Sequence, residues 1–292
     1  RLKNTNMKPP IKICHVNLAT GFSGGEQQTM TLIKQQVQLG HELVVVCHPD
    51  SPLYKKAEAL GCKLYPCKQF LRTHHADITR EALAIHVHEG RAIYWALIQH
   101  ILTGTPYIVT RRIDNPMKNK YFLKLAYTKA KAIIGLSAAI RDSILKRLPG
   151  IDVHVIPSSP VSYDIDSSNV KLLRKQFEGK FVVLQAGKLY EHKGYDVSIN
   201  AAKQLLNVSN IHFCFLGDGP EHTSLKAKAS TLNNVSFLGK QTNMGDWFEL
   251  ADCLIHPSYT EGLGSVILEA SQAGLPVIGT RAGGIPDIIQ HE

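Results

Sequence analysis

The 292-residue sequence has no long uncharged apolar run. Stretches such as Ala132 to Ala139 end far short of the ~20 residues that cross a bilayer, so neither a membrane-spanning helix nor a cleavable signal peptide is expected. Cysteine is sparse. Cys14, Cys47, Cys62, Cys67, Cys214 and Cys253 sit mostly inside apolar runs and form no C-x-x-C pair, which argues against a disulfide framework or zinc site and suits buried thiols in a cytoplasmic chain. A composition 44% hydrophobic and 20% charged excludes disordered and collagen-like chains. The second half also lacks basic excess: residues 1–162 hold 22 Lys/Arg and 10 Asp/Glu, whereas 163–292 hold 11 and 14. A basic first half fits an anionic partner, membrane surface or nucleic acid, with plain solubility as the alternative.

At about 150 residues per domain the length suggests two domains. Residues 1–10 are polar, end in Pro9-Pro10 and are expected to be a disordered lead-in. From Ile11 short β-branched runs at 11–19, 42–48, 83–88, 106–110, 131–136 and 153–156 alternate with helical periodicity at 25–39, 51–60, 92–102, 117–130 and 138–148. Around Ser158 to Ser168 the composition turns to Ser, Pro, Asp and Asn, which reads as a linker. The alternation then restarts, with strands at 181–186, 211–216, 234–238, 253–256 and 275–279 and helices near 194–206, 221–232, 245–251, 264–273 and 284–290. The expectation is an α/β chain of two tandem doubly wound parallel-sheet domains, 11–162 and 163–292, the second truncated at its C-terminal end.

Glycine turns follow three strands. Gly21-Phe22-Ser23-Gly24-Gly25-Glu26 opens a helix and presents backbone N–H groups at its positive end. Neither it nor Gly217-Asp218-Gly219-Pro220 has the spacing G-x-G-x-x-G, which disfavours a nicotinamide-dinucleotide fold. Gly187-Lys188-Leu189-Tyr190-Glu191-His192-Lys193-Gly194 places two lysines five apart, within reach of a diphosphate or simply solvated. The most specific stretch runs from Pro257 to Ala270, with Glu261 before a helix and Glu269 inside it among apolar residues, where a lone carboxylate is costly. Eight helical residues span ~12 Å, so this spacing suits the two ends of a nucleotide-sugar better than acid and base work at one bond.

Together the E-x7-E element, G-K-L-x-x-x-K-G, F-L-G-D-G-P and G-G-I-P-D resemble the family 4 retaining glycosyltransferases of GT-B fold, over almost the whole chain from Ile11. The resemblance implies two Rossmann-like domains facing a cleft, with donor held mainly by the second and acceptor by the first. It places Glu261 on the donor sugar's hydroxyls, backbone amides of Gly262, Leu263 and Gly264 beside it with Ser265 following, Glu269 on the ribose, and Lys188 and Lys193 on the diphosphate beyond Gly187. It puts Gly24 and Gly25 near the β-phosphate and His88 beside the donor sugar. Two departures stand out: Lys188 where Arg is more common, and Ile156-Pro157-Ser158-Ser159 where relatives have I-P-N-G.

Strand alternation sets His86 and His88 on one side; a metal pair is the alternative, without an evident third ligand, and His86 otherwise reads as a core residue. Glu26, Arg91, Arg111 and Arg112 are candidate acceptor residues, because arginines suit a phosphorylated or acidic glycan, although a structural Arg-Asp114 pair is equally compatible. The basic segment 118–131 fits an anionic bilayer or a solvated helix face. The function expected is transfer of a sugar, a UDP-sugar favoured, to a glycan or lipid-linked acceptor such as lipopolysaccharide core. No cofactor, metal or nucleic-acid partner is expected, and the chain would be peripheral on the inner face of the cytoplasmic membrane. Alternatives are a sugar-nucleotide epimerase and a non-enzymatic nucleic-acid-binding protein, the latter short of interleaved aromatics.

Overall fold

Alternating apolar runs and helical periodicity become two parallel sheets in the computed structural model, which describes residues 9–290. Except for Pro9 and Pro10, the lead-in expected at 1–10 lies outside these residues. The chain divides into two units between Pro157 and Ser158.

The first unit holds strands β1 (Lys12–Asn17), β2 (Glu42–Cys47), β3 (Lys63–Pro66), β4 (Ala82–Val87), β5 (Tyr107–Arg111), β6 (Ala132–Gly135) and β7 (Val153–Val155) in the order β3-β2-β1-β4-β5-β6-β7. Its helices are α1 (Gly24–Gln38), α2 (Pro52–Ala59), α3 (Ala76–Thr79), α4 (Ala92–Thr103), α5 (Tyr121–Lys129) and α6 (Ala138–Leu145). Leu43 to Cys47 are all buried, because a parallel strand covered on both faces has no solvent side. The edge strand β3 was not anticipated: Lys63 and Pro66 are exposed, so it lacks the apolar run, and Pro66 is tolerated at an edge where a donor can be spared. Helix α5 starts at Tyr121 rather than 117, since Lys120 is still extended after Pro116.

The second unit holds β8 (Phe181–Ala186), β9 (Ile211–Leu216), β10 (Val235–Phe237), β11 (Cys253–His256) and β12 (Val277–Gly279) in the order β10-β9-β8-β11-β12, with helices α7 (Ser167–Gln176), α8 (Tyr195–Gln204), α9 (His222–Lys228), α10 (Met244–Leu250) and α11 (Ser265–Gln272). Alternate residues of its central strands feed opposite cores: Val182, Leu184, Cys214 and Leu216 pack with Trp247 and Ile267 on one face, and Val183, Phe213 and Phe215 pack with Tyr195 and Ile199 on the other. The polar stretch read as a linker contains a helix start. Asp166 caps α7 by accepting from the N–H groups of Ser168 and Asn169, and buried Asp246 accepts from the Asp166 N–H and the Asn169 side chain, each at 2.7 Å. Those bonds anchor Asp166 and the start of α7 in the second unit, and the division falls five residues ahead of the 162/163 boundary. At 284–290 only a single 3-10 turn forms, Ile285–Asp287; Pro286 contributes no N–H and one turn suffices to bury Ile285.

Strand order decides where a ligand can sit. In each sheet successive strands run one way from the first strand and then resume on its other side, β1 against β4 and β8 against β11. The crevice beyond the carboxyl ends of such a strand couple is where open α/β sheets take ligands. Among the described residues no helix is long and apolar enough to cross a membrane.

Candidate functional site

Both conspicuous loops of the second unit lie at its switch point: 187–194 follows β8 and 257–264 follows β11. Buried Gln185 at the end of β8 donates to the Lys193 carbonyl (2.9 Å) and accepts from the Ser198 hydroxyl (2.6 Å), which fixes the lysine's main chain. The Tyr259 N–H donates to the His192 carbonyl across the two loops. Side chains have no room at three crossings: a methyl group on Gly194, Gly217 or Gly283 would fall on the carbonyl of Pro257, Gly187 or Glu261 respectively. Backbone therefore lies directly on backbone around Glu261.

The Glu261 side chain is 14% exposed, and its Oε2 accepts from Lys193 Nζ at 2.5 Å and His256 Nε2 at 2.8 Å. Burial alone would raise its pKa, but the His256 hydrogen bond and the Lys193 charge outweigh it and hold the carboxyl down to about 2. All of these bonds fall on Oε2, leaving Oε1 for a ligand hydroxyl. Glu269, one turn into α11, receives the Tyr163 hydroxyl at 3.1 Å. Here burial dominates over that hydrogen bond, and the carboxyl is pushed up to about 7. Gly262, Leu263, Gly264 and Ser265 lead into α11, with Gly264 at φ 89° as its N-cap. Lys193 is thus brought to Glu261, whereas exposed Lys188 is not; its Nζ stands 6.0 Å over the Tyr190 ring.

In the first unit Gly24 and Gly25 open α1 after β1, and His88 follows β4. The Glu26 carboxylate accepts from the N–H and hydroxyl of Ser23 (2.9 and 2.7 Å), so this candidate acceptor residue also closes the start of its own helix. Arg91 donates to the Leu18 carbonyl at 2.7 Å, and Arg111 donates to the Asn115 carbonyl. Arg91 thus ties the start of α4 to the loop after β1, and Arg111 ties the end of β5 to the loop that follows it. Arg112 alone of the three turns to the histidines, with NH2 3.4 Å from His88 Nδ1 and its Cδ beside Gly25. Burial lowers its pKa to about 10 while Glu26 opposes the shift.

Sequence spacing showed two histidines; the sheet supplies a third. β1 pairs with β4 in a register that sets His15 opposite His86, and His15, His86 and His88 bring ring nitrogens within 4.8 Å of one another. The absence of a third ligand is therefore corrected, because cross-strand register is invisible in spacing. The hydrogen bonds nonetheless run as an uncharged relay. Arg112 can only donate, so His88 Nδ1 accepts; His88 Nε2–H then donates to His15 Nδ1 (2.9 Å), and His15 Nε2–H to Gln36 Oε1 (2.7 Å). His86 shares a 2.7 Å bond with the Thr110 hydroxyl. Burial holds His15 at about 4, and burial with the neighbouring rings and Arg112 holds His86 and His88 well below the usual value, so all three are neutral at pH 7. A metal ion would have to break this chain beside a guanidinium.

Residues 22–159 match the family model "Glycosyltransferase Family 4", and residues 171–292 match "Glycosyl transferases group 1". Each unit thus matches its own glycosyltransferase family model. N-acetyl-alpha-D-glucosaminyl L-malate synthase of Bacillus anthracis is 31% identical over 125 residues, 41% of this chain and 33% of its own. The chain thus spans about a third of that relative's length. The lipopolysaccharide core biosynthesis mannosyltransferase LpsB of Rhizobium meliloti is 22% identical over 96% of this chain and 80% of its own. Among solved structures, Anabaena HepE in complex with UDP-glucose superposes with a TM-score of 0.79 at 20% identity, over 96% of this chain and 83% of that one, which establishes the GT-B fold. The epimerase alternative is not favoured by these matches.

Sequence reasoning missed His256, Tyr163, His15 and Gln36. His256 carried one usable signal, its place at the carboxyl end of a strand five residues before Glu261. Tyr163 lay in the supposed linker, and only the fold brings it 106 positions along to Glu269.

Proposed function

We propose that the chain transfers a sugar from a nucleoside-diphosphate sugar to a glycan or lipid-linked acceptor, with retention of configuration and without a metal, in lipopolysaccharide or other surface-polysaccharide synthesis. The observation that carries it is the grouping at one switch point of an ionised Glu261 tethered through a single oxygen, Lys193 on that oxygen, and a second carboxylate, Glu269, on the following helix. Glu261 Oε1 accepts from the donor sugar's hydroxyls, and Glu269 accepts from the ribose. Lys193 and the more exposed Lys188 offset the diphosphate charge, aided by Gly187 and the amides of Gly262, Leu263, Gly264 and Ser265. A UDP-sugar is the favoured donor, the nucleotide named for HepE. In the first unit Gly24 and Gly25 at the start of α1 offer backbone amides to an anionic group, and Arg112 beside His88 is the arginine that suits an acidic acceptor. Exposed Tyr121 and Phe122 beside Lys118 and Lys120 suit an anionic membrane surface for a cytoplasmic, peripheral enzyme.

Hydrolysis and transfer from a panel of UDP-sugars test the reading. Wild type should release UDP, and Glu261→Gln should lose turnover while binding UDP nearly as well, since its contacts are to the sugar. Equal UDP release by the two proteins would overturn the role of Glu261, and the anomeric configuration of the product, followed by proton NMR, decides retention.

A further inference from the structure

Lys193 is engaged before any donor arrives. Its ammonium sits on Glu261 Oε2, and its main chain is pinned by the Gln185 amide on its carbonyl and by its own N–H donating to the Tyr190 carbonyl at 3.0 Å. Only the side chain can turn toward a diphosphate. A carboxylate with 14% of its side chain exposed cannot give up its cation without a replacement, because a buried charge left alone is strongly unfavourable.

The partner that remains is His256. Its side chain is 4% exposed at the carboxyl end of β11, and Nε2 lies 2.8 Å from the same oxygen. The protonation of the ring follows from its surroundings. Nδ1 is buried with no hydrogen-bond partner; a proton there would be an orphaned donor and would turn a lone pair of Nε2 against the carboxylate. The proton is therefore on Nε2, donated to Glu261, with the Ser258 hydroxyl 3.2 Å from the same nitrogen. The carboxylate is thereby held from one side whether or not Lys193 stays.

We infer that His256 is a positioning residue that keeps Glu261 ionised and aimed through Oε1 while Lys193 is handed from Glu261 to the donor's diphosphate. This rests on the donor role proposed above for Glu261 and Lys193. The exchange costs little because the two groups meet on one oxygen. A negative diphosphate replaces Glu261 as partner of Lys193, and the imidazole N–H keeps the carboxylate satisfied.

Two substitutions separate positioning from mere packing. The amide nitrogen of Gln reaches where Nε2 stands, whereas that of Asn reaches only the Nδ1 position. Calorimetric titration of UDP and UDP-glucose into wild type, His256→Asn and His256→Gln reads the outcome. His256→Asn should bind UDP within about twofold of wild type, lose at least about tenfold in UDP-glucose affinity relative to UDP, and lose kcat for donor hydrolysis; His256→Gln should recover most of both. Equal losses for the two ligands, or no recovery in His256→Gln, would overturn the inference. Nitrogen-15 histidine spectra of wild type give a second test that does not depend on a variant folding. The Nε2–H form of His256 should persist when UDP saturates the protein, and a switch to Nδ1–H would refute the handover. Should wild type bind UDP and UDP-glucose with Glu261→Gln indistinguishable from it, the donor reading itself fails and takes this inference with it.

Discussion

If Glu269 holds the ribose as proposed, nucleotide binding is coupled to a proton. Burial pushes its carboxyl up to about 7 in the free protein, whereas a ribose offers two hydroxyl donors that need an ionised acceptor. The carboxylate fraction is about one-tenth at pH 6 and nine-tenths at pH 8, so UDP-glucose affinity should rise about tenfold between them, or about 1.4 kcal/mol. UDP-glucose is the right probe because its diphosphate is a diester with no ionisation near neutrality. By linkage, titrations at pH 7 in buffers of different ionisation enthalpy should show release of roughly half a proton per ligand. The sign for folding is opposite. A carboxyl whose folded pKa lies above its unfolded one contributes stability below about pH 4.5 that is lost as pH rises through 7, and ligand binding compensates that loss. In Glu269→Gln the pH dependence should flatten. An affinity that is level from pH 6 to 8, or a slope that survives in Glu269→Gln, would refute the reasoning.

The neutral histidines give the first unit a sharp acid limit. Because the His15 pKa falls from 6.5 to about 4 on folding, its contribution is intact above pH 6.5 and lost as pH falls toward 4; at pH 5.5 the loss is about 1.4 kcal/mol, with His86 and His88 adding to it. Urea denaturation followed by Trp95 fluorescence, in a Trp247→Phe background, should show a lower midpoint at pH 5.5 than at 7.5, and an unchanged midpoint contradicts the burial of neutral rings. Lys193→Ala should weaken UDP far more than uridine, by about 1.5–3 kcal/mol for a charged hydrogen bond; equal losses for both ligands would make the residue a support for Glu261 alone. Neutralising Lys118, Lys120, Lys124 and Lys129 together should cost about 1 kcal/mol per charge in binding to anionic vesicles, leaving donor hydrolysis intact. Co-sedimentation that does not change would make the segment a solvated face.

Strand positions were legible because a parallel sheet demands apolar runs, and Leu43 to Cys47 or Phe181 to Leu184 supply them. Edge strand β3, half exposed and closed by Pro66, has no such run. Ser, Asp and Asn between 158 and 169 signal a linker and a helix cap equally well, and only the buried Asp246 that collects them decides in favour of α7. Of the site, Glu261 and Glu269 stood out as carboxylates among apolar neighbours. That one is strongly acidic depends on His256 and Lys193, and that the other is raised depends on burial that outweighs its Tyr163 hydrogen bond; these surroundings arrive through loop crossings and sheet order that no local window contains. His15 is the same case in the first unit, since pairing of β1 with β4 brings residues 71 positions apart into register.

The glycine crossings have a consequence for how donor choice can change. With main chain resting on main chain at Gly194, Gly217 and Gly283, the loops at 187–194, 217–221, 257–264 and 280–284 form one interlocked frame. Lengthening any of them alone would push its neighbour off its seat. A loop transplanted from another family member would have to travel with the loops it rests on. Side chains projecting from the frame can be exchanged one at a time, so if these loops hold the donor as proposed, variation in sugar preference is confined to substitutions on a path of fixed length.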